Sequence, residues 1–249
     1  MVTTTIKAGI IQTREYRDNQ DGIYQVSKIL ENLGKKEVNI VCLPEQWLKD
    51  NTVENYEEYF TSFCSIAKEF SMTIIPGAFY EKTKQGNVIS APVIGPNGGI
   101  IGKQEKIHPF DYEQTMVESG REAKIFETSC KFGIVICYDM VFPRVANTLA
   151  KMGARILISP SRIVRRGISP WHMYVQVRAL ENRIPIIAAN VSSEKYGGNG
   201  IIVDLIENDK VILPDVKQIK EENALDREFE LERYGPMRTK RFSDAREFT

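Results

Sequence analysis

The chain has 249 residues, is 42% hydrophobic and 27% charged, and sets 33 Lys and Arg against 33 Asp and Glu, the composition of one soluble domain with a sizeable core. A formal net charge of zero leaves no basic field to gather a phosphate backbone and no acidic excess to hold the chain unfolded, so nucleic-acid binding and disorder drop down the list. The start, MVTTTIKAGIIQ, has no basic run ahead of a long apolar one, and the densest apolar stretch, 184–191, is far too short for a membrane span; the expectation is a cytoplasmic protein with no membrane partner.

Along the chain, 4–11 reads as a strand and 23–33 as an amphipathic helix with Ile23, Val26, Ile29, Leu30 and Leu33 on one face. A strand is expected over 38–43 and a helix over 53–70. The runs 72–79, 88–94 and 99–104 then read as consecutive strands, with Gly95-Pro96-Asn97-Gly98-Gly99 as a tight connection. Strands at 131–137, 155–159, 185–190 and 200–205 are interleaved with helices at 143–152 and 171–182, the first opening on Pro143, where the missing N–H costs nothing. Alternation towards both ends and strands in the middle predict an α/β layered sandwich, not a barrel. No repeat, low-complexity tract or linker divides it, so 1–249 is expected to be a single domain. From about Lys217 the chain carries charges of both signs, yet also Phe229, Leu231, Tyr234, Met237, Phe242 and Phe248. The segment 217–249 reads either as a solvated tail or as a C-terminal arm docked on a partner subunit.

The four cysteines, Cys42, Cys64, Cys130 and Cys137, have no C-x-x-C spacing, and His108 and His172 are too few for a His-rich site; free thiols and no metal are expected. The segment 131–139, KFGIVICYD, runs a strand into a polar break and then into the helix from Pro143. Such an elbow lifts Cys137 beside main-chain N–H groups that can receive a developing oxyanion, although residue type alone makes a cysteine there packed core. Glu45, in P-E-Q-W, follows strand 38–43, at the edge where open α/β sheets build their sites; alone, a strand-end glutamate is ordinarily solvated. Lys106 follows strand 99–104 and leads into a loop holding Glu113, a charge run that by itself reads as a solvated edge.

Together these residues carry a specific likeness. Glu45 in L-P-E, Lys106 in E-K-I-H and Cys137 in C-Y-D-M-V-F-P resemble, in order and separation, the Glu-Lys-Cys triad of the nitrilase superfamily, the carbon-nitrogen hydrolases. The stretch 113–120 resembles the segment supplying that family's supporting glutamate, at Glu113, with Glu118 close enough to be mistaken for it. Gly153-Ala154, Ile158-Ser159-Pro160-Ser161, Arg178-Ala179-Leu180-Glu181-Asn182, Ala189-Asn190 and Tyr196-Gly197-Gly198-Asn199-Gly200 are similar to further family stretches, so the likeness covers nearly all of 4–213. Val141 and Arg144 depart from the Arg and Glu common in the family, a joint change that orphans no charge if those two pair. Pro109 and Pro170 also depart, near the expected rim of the pocket, and bear on substrate identity.

The resemblance implies a four-layer αββα sandwich that dimerises, neither metal nor organic cofactor, and hydrolysis of non-peptide C–N bonds. The chemistry can also be argued from residue types. A thiol with an ordinary pKa of about 8.5 needs a base and a nearby cation to attack a carbonyl. Glu45 would take the proton; Lys106 would favour the thiolate and, with the backbone N–H of Tyr138, hold the oxyanion. Glu45 would then return its proton to the departing nitrogen and activate water against the thioester. Glu113, by the resemblance, orients Lys106 or the substrate nitrogen.

C-Y-D resembles the amidase branches more than the true nitrilases, which implies a small-molecule amide and, more narrowly, omega-amidase-like action. Arg162, Arg165 and Arg166 read as either a carboxylate clamp or a solvated basic loop. N-carbamoyl hydrolysis with the same triad, and a catalytically silent binding module, are the alternatives. A Cys-His hydrolase is disfavoured, since only His108 and His172 could serve, and the glycine turn 95–99 opens no helix that would cradle a phosphate.

Overall fold

The computed structural model describes residues 5–84, 86–220 and 223–246; Phe248 of the charged C-terminal stretch lies outside them. Strands β1 (Thr5–Ile11), β2 (Ile40–Cys42) and β3 (Thr73–Ile75) run parallel side by side. Their period of two feeds two cores. Ile6, Ala8, Ile10, Ile40, Cys42 and Ile75 pack towards the second sheet, while Ile11, Val41 and Ile74 pack under the helices α1 (Asn19–Lys35) and α3 (Thr61–Phe70). Helix α1 begins where the Asp18 carboxylate accepts the N–H of Asp21 at 2.8 Å, and buries Val26, Leu30 and Leu33. It can approach α3 closely because Gly34 has no side chain: a Cβ there would lie 2.4 Å from the Phe70 ring.

The antiparallel strands β4 (Phe79–Thr83), β5 (Gly86–Ile94) and β6 (Ile100–Glu105) extend this first sheet, in which β5 pairs with β3, β4 and β6. The second sheet holds β7 (Ile125–Glu127), β8 (Lys131–Ile134), β9 (Ile156–Pro160), β10 (Ile186–Ala189), β11 (Ile201–Asn208) and β12 (Val211–Gln218), with β8, β9 and β10 parallel. Helices α4 (Pro143–Lys151) and α5 (Ile168–Asn182) lie against it. Strands β1 and β2 face β9 and β10 across the interior, which completes four layers in αββα order.

Several elements differ from their sequence-based expectation, each for a local reason. The helix expected over 53–70 starts after Asn55, whose side chain accepts from Glu57 and Glu58 N–H, and it breaks at Phe60 into α2 (Tyr56–Tyr59) and α3. There the Thr61 hydroxyl bonds back to the carbonyls of Glu57 and Glu58, competing with the backbone ladder. Pro76-Gly77 divides the run 72–79 between β3 and β4. Strand 131–137 stops at Ile134, before Cys137.

The largest correction concerns the C-terminal segment. Strand β13 (Ala224–Glu230) pairs antiparallel with β1 from Thr5↔Glu230 to Ile11↔Ala224 and becomes the edge of the first sheet. Phe229, Leu231 and Tyr234 are buried in this chain's own core, ahead of helix α6 (Tyr234–Ser243). For 224–234, neither a solvated tail nor an arm reserved for a partner describes what the residues do: they cover an edge that β1 would otherwise leave unpaired.

Candidate active site

Glu45 lies just beyond β2 on a loop held from two sides. The Gln46 N–H donates to the Ala78 carbonyl at 2.9 Å, and the Trp47 indole N–H donates to Pro76 O at 2.7 Å. Gly77 makes this possible, since a Cβ at its φ of +123° would lie 2.3 Å from Pro44 O. The turn throws Gln46 into the left-handed region at φ 46° and leaves the Glu45 side chain buried.

Lys106 follows β6 directly. Its N–H donates to Ile89 O and its carbonyl accepts from Gly120 N–H, both at 2.8 Å, so the backbone is pinned on both sides. Its ammonium donates to Glu45 Oε1 at 2.8 Å and to Glu113 Oε2 at 2.7 Å, and all three side chains are 3% exposed or less. Glu113 reaches in from a single helical turn (Asp111–Thr115), where its Oε2 also accepts from Phe110 N–H at 2.7 Å and its Oε1 from the Gln46 side chain at 3.3 Å. Glu118 is exposed, so it is Glu113 that meets Lys106.

Cys137 opens a short turn (Cys137–Val141) beyond β8, at φ 45°. A left-handed non-glycine residue costs roughly 1–3 kcal/mol and persists only where its surroundings impose it. Here Val135 N–H is tied to Ile158 O at 2.9 Å, and Arg178 of α5 donates to the carbonyls of Met140 at 3.0 Å and Val141 at 2.8 Å, closing the far side of the turn. The N–H of Tyr138 takes no acceptor among the described residues. The nearby loop is fixed by Asn190, which accepts from Ile163 N–H at 2.8 Å and donates to Gly198 O at 2.7 Å. Thus the R-A-L-E-N, A-N and G-G-N-G stretches hold the loops that frame Cys137.

Burial pushes the Cys137 thiol up from its ordinary value, and Glu45 pushes the same way by its charge and by accepting the S–H; Lys106 and the N–H of Arg162 pull it down without prevailing. Lys106 thus favours the thiolate, as expected from the sequence, but burial and Glu45 outweigh it. With two carboxylates around one ammonium, a thiolate would add a second uncompensated negative charge to a dry pocket. Lys106 itself is held fully charged: burial opposes this, and Glu45, Cys137 and Glu113 outweigh burial.

A cleft of about 800 Å³ beside this cluster is lined by Gln46, Tyr80, Tyr112, Met116, Arg162 and Tyr196, among others. Arg162 alone of the three loop arginines enters it, donating to the Tyr112 hydroxyl at 3.2 Å and lying 5.1 Å from the centre of the Tyr196 ring. Arg165 instead donates to Glu194 O at 2.7 Å, and Arg166 is exposed. A second cleft of about 620 Å³ beside the start of α5 is lined by Arg165, His172 and Met173, whereas the first takes in Gln46, next to Glu45. His172 is occupied by Asn199 O at 2.8 Å. Pro170 is exposed outside the cleft that holds Arg162, so its departure from the family does not touch that rim.

Sequence reasoning left two contributors without a role, Gln46 and Asp139. Both sit inside quoted motifs, P-E-Q and C-Y-D, but their partners, Glu113 for Gln46 and the 107–108 backbone for Asp139, come from the other side of the pocket and no spacing reveals them. Among the described residues no group of three or more His, Cys, Asp or Glu is disposed to hold a metal ion, and no helix is long and apolar enough to cross a membrane.

Fold and site together place Glu45, Lys106 and Cys137 between two stacked sheets, and the αββα architecture is that of the carbon-nitrogen hydrolases. Residues 7–210 match the carbon-nitrogen hydrolase family, and the chain belongs to it. A probable nitrilase of Schizosaccharomyces pombe is 34% identical over 174 residues, which span 69% of this chain and 61% of that protein. The omega-amidase NIT2 of Mus musculus is 26% identical across 81% of this chain and 82% of its own length. Among solved structures, a carbon-nitrogen hydrolase from Helicobacter pylori G27 superposes with a TM-score of 0.83 at 26% identity, covering 99% of this chain and 97% of that one.

Proposed function

We propose that the protein hydrolyses small carboxamides through a thioester on Cys137, releasing ammonia. The observation that carries this reading is the buried ammonium of Lys106, clamped between Glu45 and Glu113 beside a thiol at a strained turn. Glu45 takes the proton from Cys137 Sγ as sulfur attacks the carbonyl carbon, so no free thiolate has to exist beforehand. The negative charge moves to the carbonyl oxygen, where the Lys106 ammonium and the unpaired Tyr138 N–H receive it. Collapse breaks the C–N bond, and the Glu45 proton leaves with the nitrogen. Water then gives a proton to Glu45 and attacks the thioester, freeing the acid and restoring the thiol. Glu113 keeps the ammonium aimed throughout.

Arg162 supports a narrower, omega-amidase-like reading, since its guanidinium lines the cleft and forks suit carboxylates bidentately. The likeness to the mouse omega-amidase supports the same reading. The test is ammonia release from a panel of neutral amides, acidic monoamides, carbamoyl compounds and nitriles, with Cys137→Ala alongside and intact-mass trapping of the acyl adduct. Equal behaviour of the two proteins on every compound would remove the proposal, and turnover confined to carbamoyl compounds, with carbon dioxide released, would move it to that branch. We also expect a homodimer, supported by the exposed Met173 and Val177 on α5; light scattering that gives the 28.4 kDa monomer would overturn this.

A further inference from the structure

The catalytic groups come from different sheets. Glu45, Lys106 and Glu113 stand on the first sheet's strands and loops, while Cys137 stands at the end of β8 in the second. Their mutual position is therefore set by whatever ties the end of β6 to the turn after β8. The residue that does so is Asp139, two positions after the nucleophile and 1% exposed. Its Oδ1 accepts from the backbone N–H of His108 at 2.8 Å and pairs with His108 Nδ1 at 2.8 Å, and its Oδ2 accepts from the N–H of Ile107 at 3.2 Å. These are the two residues directly after Lys106.

Resting on the triad reading above, we propose that Asp139 is a positioning residue that locks Lys106 in register with Cys137 across the two sheets. A buried carboxylate needs several donors, and backbone amides are donors whose own position is fixed by the chain. Bonding two consecutive N–H groups with two oxygens of one carboxylate sets both the distance and the rotation of the loop, which one bond would not. The short turn leaves Asp139 little freedom: its N–H donates to Ile136 O at 2.9 Å and its carbonyl accepts from Phe142 N–H at 3.1 Å. The His108 ring adds a stack on Phe142, 3.8 Å between centroids, that keeps the imidazole over the same turn. The other backbone tie between the sheets beside the triad, Glu45 N–H to Ser161 O, is longer at 3.3 Å.

The test uses the full chain with Asp139→Ala, Asp139→Asn and His108→Phe. Cys137 alkylation by iodoacetamide at pH 8, read by peptide mass against Cys64 in the same molecule, needs no substrate. In Asp139→Ala, Lys106 drifts from the sulfur and kcat on the best amide falls about 100-fold, the effect of roughly 1 Å of misplacement. KM stays within about twofold, because Arg162 and Tyr196 line the cleft from loops that Asp139 does not hold. The Cys137-to-Cys64 alkylation ratio falls with kcat. Asp139→Asn keeps the shape but turns one acceptor into a donor facing an N–H; it falls in between and covers the case in which the alanine variant does not fold. His108→Phe keeps both backbone donors and the stack, and retains kcat within about threefold of the parent. An unchanged alkylation ratio and kcat in folded Asp139→Ala or Asp139→Asn would overturn the proposal, as would a His108→Phe defect as deep as that of Asp139→Ala. If no amide is turned over by the parent protein, the alkylation ratio still decides the lock, so its failure is separable from that of the proposed activity.

Discussion

Two ionic clusters bridge elements of this protein, one buried and one half-exposed, and they are balanced differently. At the catalytic cluster one ammonium, Lys106, serves two carboxylates, Glu45 and Glu113. At the other end of the sandwich, Asp204 of β11 meets Arg227 of β13 at 2.6 Å and Arg233 at 2.5 Å, and accepts the Tyr234 hydroxyl; Asp215 of β12 adds a second carboxylate to Arg227 at 2.5 Å. Two anions there face two cations, and the cluster fastens β13 and the turn after it to the second sheet. Compensated charge is the state in which burial costs least. The catalytic cluster keeps an excess negative charge beside a thiol, which is a stored demand for a proton. Under the proposed mechanism, that difference separates a fastening from a base even though the residue types are nearly the same.

Substitutions should pull the two clusters apart. The largest effect is expected from Cys137→Ala, a loss of about a millionfold in kcat/KM with no trapped acyl adduct, read by ammonia release and intact mass. Glu45→Gln should cost about 10³-fold in kcat yet leave thermal stability unchanged or raised, because it removes the excess charge. A clear drop in Tm would show that the cluster is a fastening after all. Asp204→Ala should do the reverse: it removes the carboxylate shared by Arg227, Arg233 and Tyr234, leaves Asp215 to Arg227, and lowers unfolding free energy in urea titrations by about 1–3 kcal/mol, with kcat retained below the transition. Loss of kcat in the folded variant would break the contrast.

Smaller effects sharpen it. Arg162→Ala should raise KM for an acidic amide by about 10- to 100-fold, the worth of a charged hydrogen bond, while KM for a neutral amide of equal length stays put. Equal effects on both would remove the carboxylate role. The Cys137 thiol is raised by burial and by Glu45, so the folded state keeps a proton that the unfolded chain releases above about pH 8.5. Stability therefore falls as pH rises past that point. The unfolding free energy from urea titrations should fall less between about pH 9 and 10.5 in Cys137→Ala, by up to about 1.4 kcal/mol per pH unit. Cys42 and Cys130, also raised by burial, keep the same sign in both proteins.

The strands of the two central parallel runs were legible because they are short, apolar and bounded by breakers, and Glu45, Lys106 and Cys137 were legible through motif order. The edge strands were not. β12 carries Pro214, Asp215 and Lys217 and is mostly solvent-facing, and β13 alternates charge with Phe229, so neither has the continuous apolar pattern that marks a buried strand. The split of 53–70 into α2 and α3 was hidden for another reason, since its cause is a hydroxyl reaching back to carbonyls and not a change of periodicity. Motif spacing points to Glu113 with Glu118 close enough to be mistaken for it, and the fold, which buries the first and exposes the second, settles which one meets Lys106.

By itself the sequence determined a layered α/β class and, through motif order, the family likeness and the candidate site residues, because these depend on local periodicity and on residue types in order. The tertiary structure alone decided which groups surround Cys137, the entry of Arg162 into the cleft in place of Arg165 and Arg166, the bonds of Asp139 to the 107–108 backbone and the inward course of 224–234. Each of those depends on which groups distant in the chain share one dry pocket or one sheet edge. Charge and hydrogen bonding in such places are set by distance and burial, which a linear pattern does not contain.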